Sequence, residues 1–145
     1  MYRAIVLGTK PPRFSDGSAA GDYVVAYQFQ NRRTRRRLLI APDVPAAPPR
    51  LRTALAESDA VLFDGTFWAD DELARVRPGS LGSAELGHLP INDGSLELLQ
   101  RLPASIRVYF HINNTNPVLS LDSAERRAVE AAGVMIGYDG FEFEL

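Results

Sequence analysis

The chain has 145 residues, 46% of them hydrophobic and 9% aromatic, a length and composition suited to one domain with a core of its own. Sixteen basic against eighteen acidic side chains leave a net charge of −2, which supplies no global field for gathering nucleic acid or an anionic membrane surface. Cysteine is absent, which excludes disulfides, a thiolate nucleophile and thiolate-bound zinc, so any metal must be held by His, Asp, Glu, Asn or backbone oxygens.

No run approaches the ~18 apolar residues of a membrane span, and the start MYRAIVLGTK lacks the long apolar core and cleavage site of a signal peptide. The expected compartment is the cytoplasm. YRAIVLG, DYVVAYQFQ and RRLLIAP, each bounded by Gly, Pro or Asp, read as a β-meander. NRRTRRR lies between the second and third, where a hairpin turn belongs, so its position favours a solvated tip over a nucleic-acid patch.

PAAPPRLRTALAES places prolines ahead of a helical pattern in which Leu51, Ala54 and Leu55 share a face. AVLFDG follows, a continuous apolar run of the kind buried on both faces of a sheet, ending in Asp64 and Gly65. ADDELARV, with Asp70, Asp71 and Glu72 in its first turn, reads as a helix, whereas the Gly- and Pro-punctuated RPGSLGSAELGHLPINDG reads as a loop carrying His88. SLELLQRL is predicted helical with Ser95 as its N-cap, IRVYFH is the next strand, and SAERRAVEAAG is a helix stopped by Gly133. VMIGYDGFEFEL reads as two short strands around a turn at Asp139 and Gly140. A meander followed by β-α units predicts an α/β (α+β) chain, a mixed sheet with helices packed on one face.

Two apolar strands end in polar constellations, LFDGTFWADDE and YFHINNTNP, with GHLPI between them. A carboxylate fixes the tautomer of an imidazole and raises its basicity, so Asp64 and His88 form a candidate proton-transferring pair. The structural alternative is a turn aspartate before Gly65 and a loop-capping histidine. Asp43, after the apolar LLIAP, is either a turn aspartate or a third acidic group of the same edge. His111 with Asn113, Asn114, Thr115 and Asn116 either builds a tight turn or lines a site at the carboxyl end of a strand.

LFDGTFWADDEL, GHLPI, YFHINNTNPVL, SAERRAVEAAG and YDG, in that order, resemble the C-terminal half of the PqqB family of pyrroloquinoline quinone biosynthesis proteins. The likeness runs from Ser58 to Gly140 and is weaker from Tyr2 to Pro42. It implies half of a metallo-β-lactamase-type αββα sandwich, with residues 1–145 as a single domain lacking the half that carries a His-x-His-x-Asp-His loop; the histidines here are His88 and His111 alone. The hydrolase branch of that fold, as in ribonuclease Z, is similar in its acidic strand end, Gly-His loop and later strand-end histidine. That likeness implies Asp64 and His88 as a proton relay, with His111 and Asp43 as metal ligands. Thr66, Asn113, Asn114 and Asn116 are implied to shape a polar substrate site.

The activity implied is iron- and oxygen-dependent tailoring of a small, peptide-derived tyrosine precursor. Iron or zinc is the implied cofactor, held weakly or not at all by this half alone. An N-terminal-half protein or a second copy is expected to cover the open sheet face. A metal-dependent hydrolase and a non-catalytic fragment that serves as a binding partner stand as alternatives.

Overall fold

Hydrogen-bonding needs and the alternation of apolar residues together dictate how the three N-terminal stretches pair, and a computed structural model of the chain, describing residues 1–9 and 21–145, shows the result. β1 (Tyr2–Gly8), β2 (Val24–Gln30) and β3 (Arg37–Ala41) form an antiparallel meander. β4 (Ala60–Asp64), β5 (Ile106–Phe110) and β6 (Met135–Ile136) add to it in parallel, giving one six-stranded sheet in the order β1-β2-β3-β4-β5-β6. Parallel neighbours need crossovers. These are α1 (Pro49–Ala56), then α2 (Glu72–Val76), α3 (Ser83–Leu86) and α4 (Leu96–Gln100), and finally α5 (Ala124–Ala131).

The register sets Ala41, Phe63, Tyr109 and Ile136 side by side on one face. Leu51, Ala54 and Leu55 of α1, Leu99 of α4 and Val129 of α5 join them in a single core cluster. Gln28 is a buried polar residue on that face, and its amide donates to the Ala54 carbonyl and the Ser58 hydroxyl. On the opposite face Tyr27, Ile40, Leu62 and Val108 lie in one row, and Tyr27 and Phe29 are 41% and 40% exposed. The sheet is therefore mixed and carries its helices on one face, as the strand order predicts.

Three local expectations fail for identifiable reasons. The stretch read as loop before α4 contains α3, because Asp70 accepts from the Ala84 amide and the Ser83 hydroxyl and so caps a helix whose own N-cap, Gly82, has no side chain. A Cβ on Gly82 would stand 2.7 Å from Asp70 Oδ2, so a larger residue there would push the capping carboxylate aside. Ser95 does not cap α4; its hydroxyl lies 2.9 Å from the Tyr109 hydroxyl, and both residues are fully buried. A buried phenol with no partner would cost more than a helix end that water can reach. After β6 the chain makes the predicted turn, with Gly140 at φ +84° and Phe141 N donating to the Tyr138 carbonyl, but no second strand follows. Instead Phe141 packs against both Tyr138 and Phe143. Among the described residues no helix is long and apolar enough to cross a membrane.

Candidate metal centre at the carboxyl edge of the sheet

β3, β4 and β5 run parallel and end at the same edge, so whatever follows each of them is brought together there. β3 is followed by Asp43 and Val44, β4 by Gly65 and Thr66, and β5 by His111. The loops are stitched by backbone bonds: Gly65 N donates to the Phe110 carbonyl at 2.9 Å and Asn113 N to the Thr66 carbonyl at 3.1 Å. His88 arrives from α3, which ends in Gly87 at φ +96°, and His88 N donates to the Ser83 carbonyl while Leu89 N donates to that of Val44. His111 itself has φ +56°, in the left-handed region that a residue with a Cβ enters at a cost of about 1–3 kcal/mol. Its ring Nδ1 lies 3.0 Å from the Thr66 hydroxyl oxygen, just past the end of β4.

Asp64 is the centre of the arrangement and is fully buried. Its Oδ2 accepts from Val44 N at 2.9 Å and faces His88 Nδ1 at 2.8 Å; its Oδ1 accepts from Thr66 N at 3.1 Å and the Thr66 hydroxyl at 2.6 Å. A carboxylate has about four lone-pair sites, and all are engaged. Burial alone would raise the Asp64 pKa, but hydrogen bonding from His111, His88 and Thr66, with the charge of His88, outweighs it and holds the carboxyl below its usual range. Asp64 is therefore a fixed anion.

Around that anion, one donor atom each from Asp43, His88 and His111 can be chosen so that all lie within 4.8 Å of one another. His88 Nε2 is 3.9 Å from Asp43 Oδ1, and His111 Nδ1 is 4.0 Å from the same oxygen. The His88 ring is 13% exposed, whereas Asp43 and His111 are about half exposed, at 51% and 46%. Hydrogen bonding toward Asp64 raises the His111 pKa above the usual histidine value; burial opposes this, and the charges of Asp43 and Asp64 and the Pro42 carbonyl add to it. Two imidazoles and one carboxylate, with no thiolate, are a donor set that suits zinc or non-haem iron. Bonds of about 2.0–2.2 Å would draw these donors closer than they stand here, and Asp43 and His111 are the two that are half exposed. The residues fit a metal.

Every candidate named from the sequence lies at or beside this edge, with different parts. Asp64 and His88 are in direct contact, as the proposed pair requires, but His88 also stands in the donor group from which the relay reading had left it out. Thr66 faces inward, with its hydroxyl between Asp64 and His111 Nδ1 at 2.6 and 3.0 Å, rather than outward toward a substrate. Asn116 is buried: its amide donates to the Gly65 and Thr66 carbonyls and its oxygen accepts from Val118 N, so both its functions brace the loops. Asn113 donates to Thr115, whose hydroxyl donates to Glu72, while Asn114 is exposed. Glu72, read from sequence as a helix-start charge, is buried and also accepts from Trp68 N, so it locks the two strand-end loops to each other.

His111 also borders a cavity of about 570 Å³ on the open face of the sheet. Leu62, Val108 and Phe110 form its floor, and Tyr138, Phe141 and Phe143 a wall. An apolar, aromatic-walled space of this size beside a polar cluster has the composition of a small-molecule site.

Residues 5–112 match the beta-lactamase superfamily domain. Among curated proteins the chain is 40% identical over 150 residues to coenzyme PQQ synthesis protein B of Azoarcus sp. and 39% identical over 147 residues to that of Cupriavidus necator. These alignments take in 99% and 98% of this chain but 49% and 48% of those proteins, so the chain spans about half the length of the curated relatives it matches. The crystal structure of zinc-bound PqqB from Methylobacterium extorquens superposes with a TM-score of 0.78 at 36% identity, over 84% of this chain and 44% of that one.

Proposed function

The chain belongs to the beta-lactamase superfamily, and from that membership we propose that it is a PqqB-like protein of pyrroloquinoline quinone biosynthesis whose site holds a metal between Asp43, His88 and His111. The observation that carries this reading is the convergence of those three donors beside the buried Asp64. Two histidines and one carboxylate with open positions are the donor set of non-haem iron oxygenases, which supports oxidative tailoring of a tyrosine-derived precursor. A bound iron would supply the oxygen chemistry. The chain's own part is to orient: Asp64 holds His88, the aromatic-walled cavity takes an apolar ring beside His111, and the exposed Asn114 faces the solvent side where a polar end of the substrate would lie.

The open sheet face supports a partner. Tyr2, Tyr27, Phe29 and Met135 are exposed on a surface that a second sheet, stacked about 10 Å away, would cover. The relatives are twice as long as this chain, so we assign that face to a complementary sheet of the kind their remaining length can supply. Covering several hundred Å2 of apolar surface is worth on the order of 10 kcal/mol before association costs. Sedimentation across a concentration series is the check, and a dispersed monomer at high concentration that binds no apolar dye would overturn it.

Zinc in the solved relative favours a second reading, since zinc has no redox chemistry and would serve hydrolysis instead. Loading the chain with ferrous iron or zinc, alone and with a complementary half, and following oxygen uptake and products from a tyrosine-containing dipeptide separates the two. Oxygen consumed with hydroxylated product only in the iron form supports tailoring. Hydrolysis of phosphodiester or lactone probes only in the zinc form supports the alternative, and no retained metal in any form overturns both.

A further inference from the structure

We infer that residues 141–145, FEFEL, are a strand that this chain contributes to the complementary sheet, pairing through their backbone with an edge strand that carries Lys or Arg opposite Glu142 and Glu144. Phe141, Phe143 and Leu145 are half-buried and alternate with the exposed Glu142 and Glu144, the period of two with which a strand presents one side to a core. These residues nevertheless belong to no helix, turn or strand, and among the described residues no backbone N–H or C=O of Glu142 to Leu145 makes a hydrogen bond. Side chains that pack in strand order beside an unpaired backbone are one half of a β-ladder.

The placement of the segment says which sheet it serves. Gly140, at φ +84°, and the bond from Phe141 N to the Tyr138 carbonyl turn the chain after β6 onto the open face. There Phe141 and Phe143 line the same cavity as Leu62, Val108 and Phe110, so FEFEL lies in the layer that a second sheet, stacked about 10 Å from the first, would occupy. A second copy of FEFEL is a poor partner. Any register of more than one residue pair that keeps the apolar side chains on one face sets Glu opposite Glu, and like charges directly opposite one another destabilise a pair. A cation opposite each carboxylate stabilises it instead, which fixes the chemistry of the partner strand. The inference rests on the complementary sheet proposed above for the relatives' remaining length, and not on the metal.

The test uses the whole chain and, as the probe, the half of the Azoarcus sp. relative that this chain does not match. In amide hydrogen exchange residues 142–145 should be open in the free chain, and in the complex at least every second amide should slow by about tenfold or more. Successive N–H groups of a strand point to opposite sides, so Phe143→Pro and Glu144→Pro between them remove a partner-facing donor in either orientation. One of the two should weaken the complex about tenfold to a hundredfold, whereas Phe143→Leu, which keeps the backbone donor and an apolar side chain, should bind within about threefold of the wild type. None of these residues belongs to the core cluster, so the variants should remain folded. A complex in which residues 142–145 exchange as freely as in the free chain, or one that both proline variants form as tightly as the wild type, overturns the inference and leaves the covered face standing. Protection of these amides in the chain alone, rising with its concentration, makes the partner a second copy and overturns it too. No complex of any kind removes the complementary sheet and the strand with it.

Discussion

Both ends of the strands carry clustered polar residues and use them in opposite ways. At the edge where β2 turns into β3, the hairpin tip is well made: Asn31 N donates to the Arg36 carbonyl, Arg35 N to that of Asn31, and the Asn31 side chain accepts from Arg33 N and Thr34 N. Yet Arg32, Arg33, Arg35 and Arg36 are all exposed. At the carboxyl edge Asp64 is fully buried and accepts from every side, and its neighbours Thr66, Asn116 and Glu72 are nearly as deep. Charge density does not distinguish a site from a solvated turn. What distinguishes it is polar groups taken out of water and satisfied by one another, because there each hydrogen bond fixes a geometry that water would otherwise blur.

If that contrast is right, damage at the two edges should differ steeply. Asp64→Ala should have the largest effect, since it strands the Val44 amide, the Thr66 hydroxyl and the His88 ring in a buried space. A loss of about 3–5 kcal/mol in urea unfolding is expected, together with loss of metal binding. The pH dependence should follow the same group. The Asp64 pKa is lowered in the folded chain, so its stabilisation is present above the ordinary aspartate range and disappears as pH falls through the folded value. Stability should drop below about pH 4, and Asp64→Asn should flatten that limb of a pH series of melting temperatures.

Gly65→Ala comes next. The added Cβ would meet Tyr109 Cβ at 2.9 Å and the Phe110 carbonyl oxygen at 3.2 Å, one a buried side chain and the other backbone, so neither can move aside cheaply. About 1–3 kcal/mol of destabilisation should appear, with reduced metal affinity because the β4 and β5 loops are forced apart. Asn116→Ala should cost about 1–2 kcal/mol by removing the amide that joins the Gly65 and Thr66 carbonyls to the turn at Val118. Hydrogen exchange at Asn113 and Val118 would localise that loss. Replacing Arg32, Arg33, Arg35 and Arg36 together by Gln should leave stability within about 0.5 kcal/mol and metal binding unchanged. A loss there as large as that of Asp64→Ala would erase the contrast between the edges.

The sequence by itself determined most of the local elements, α3 and the chain after Gly140 excepted, and the chemistry on offer. Apolar runs ending in Asp64 and His111 marked the strands and their polar ends, Ser123 and Gly133 bounded α5, and the lack of cysteine limited any metal to nitrogen and oxygen donors. These features depend on a residue and its near neighbours, where propensity and periodicity act. Tertiary structure decided which polar groups faced one another. Ser95 looked like a cap and became the partner of a phenol 14 positions away, Asp70 looked like a helix-start charge and capped a different helix, and Asn116 looked available to a substrate and was consumed in bracing two loops. Thr66, 45 positions from His111, carries no local sign that its hydroxyl stands between a carboxylate and an imidazole. A hydrogen bond between distant residues requires a distance near 3 Å and a direction, and only the parallel alignment of β3, β4 and β5, which ends three strands at one edge, supplies both.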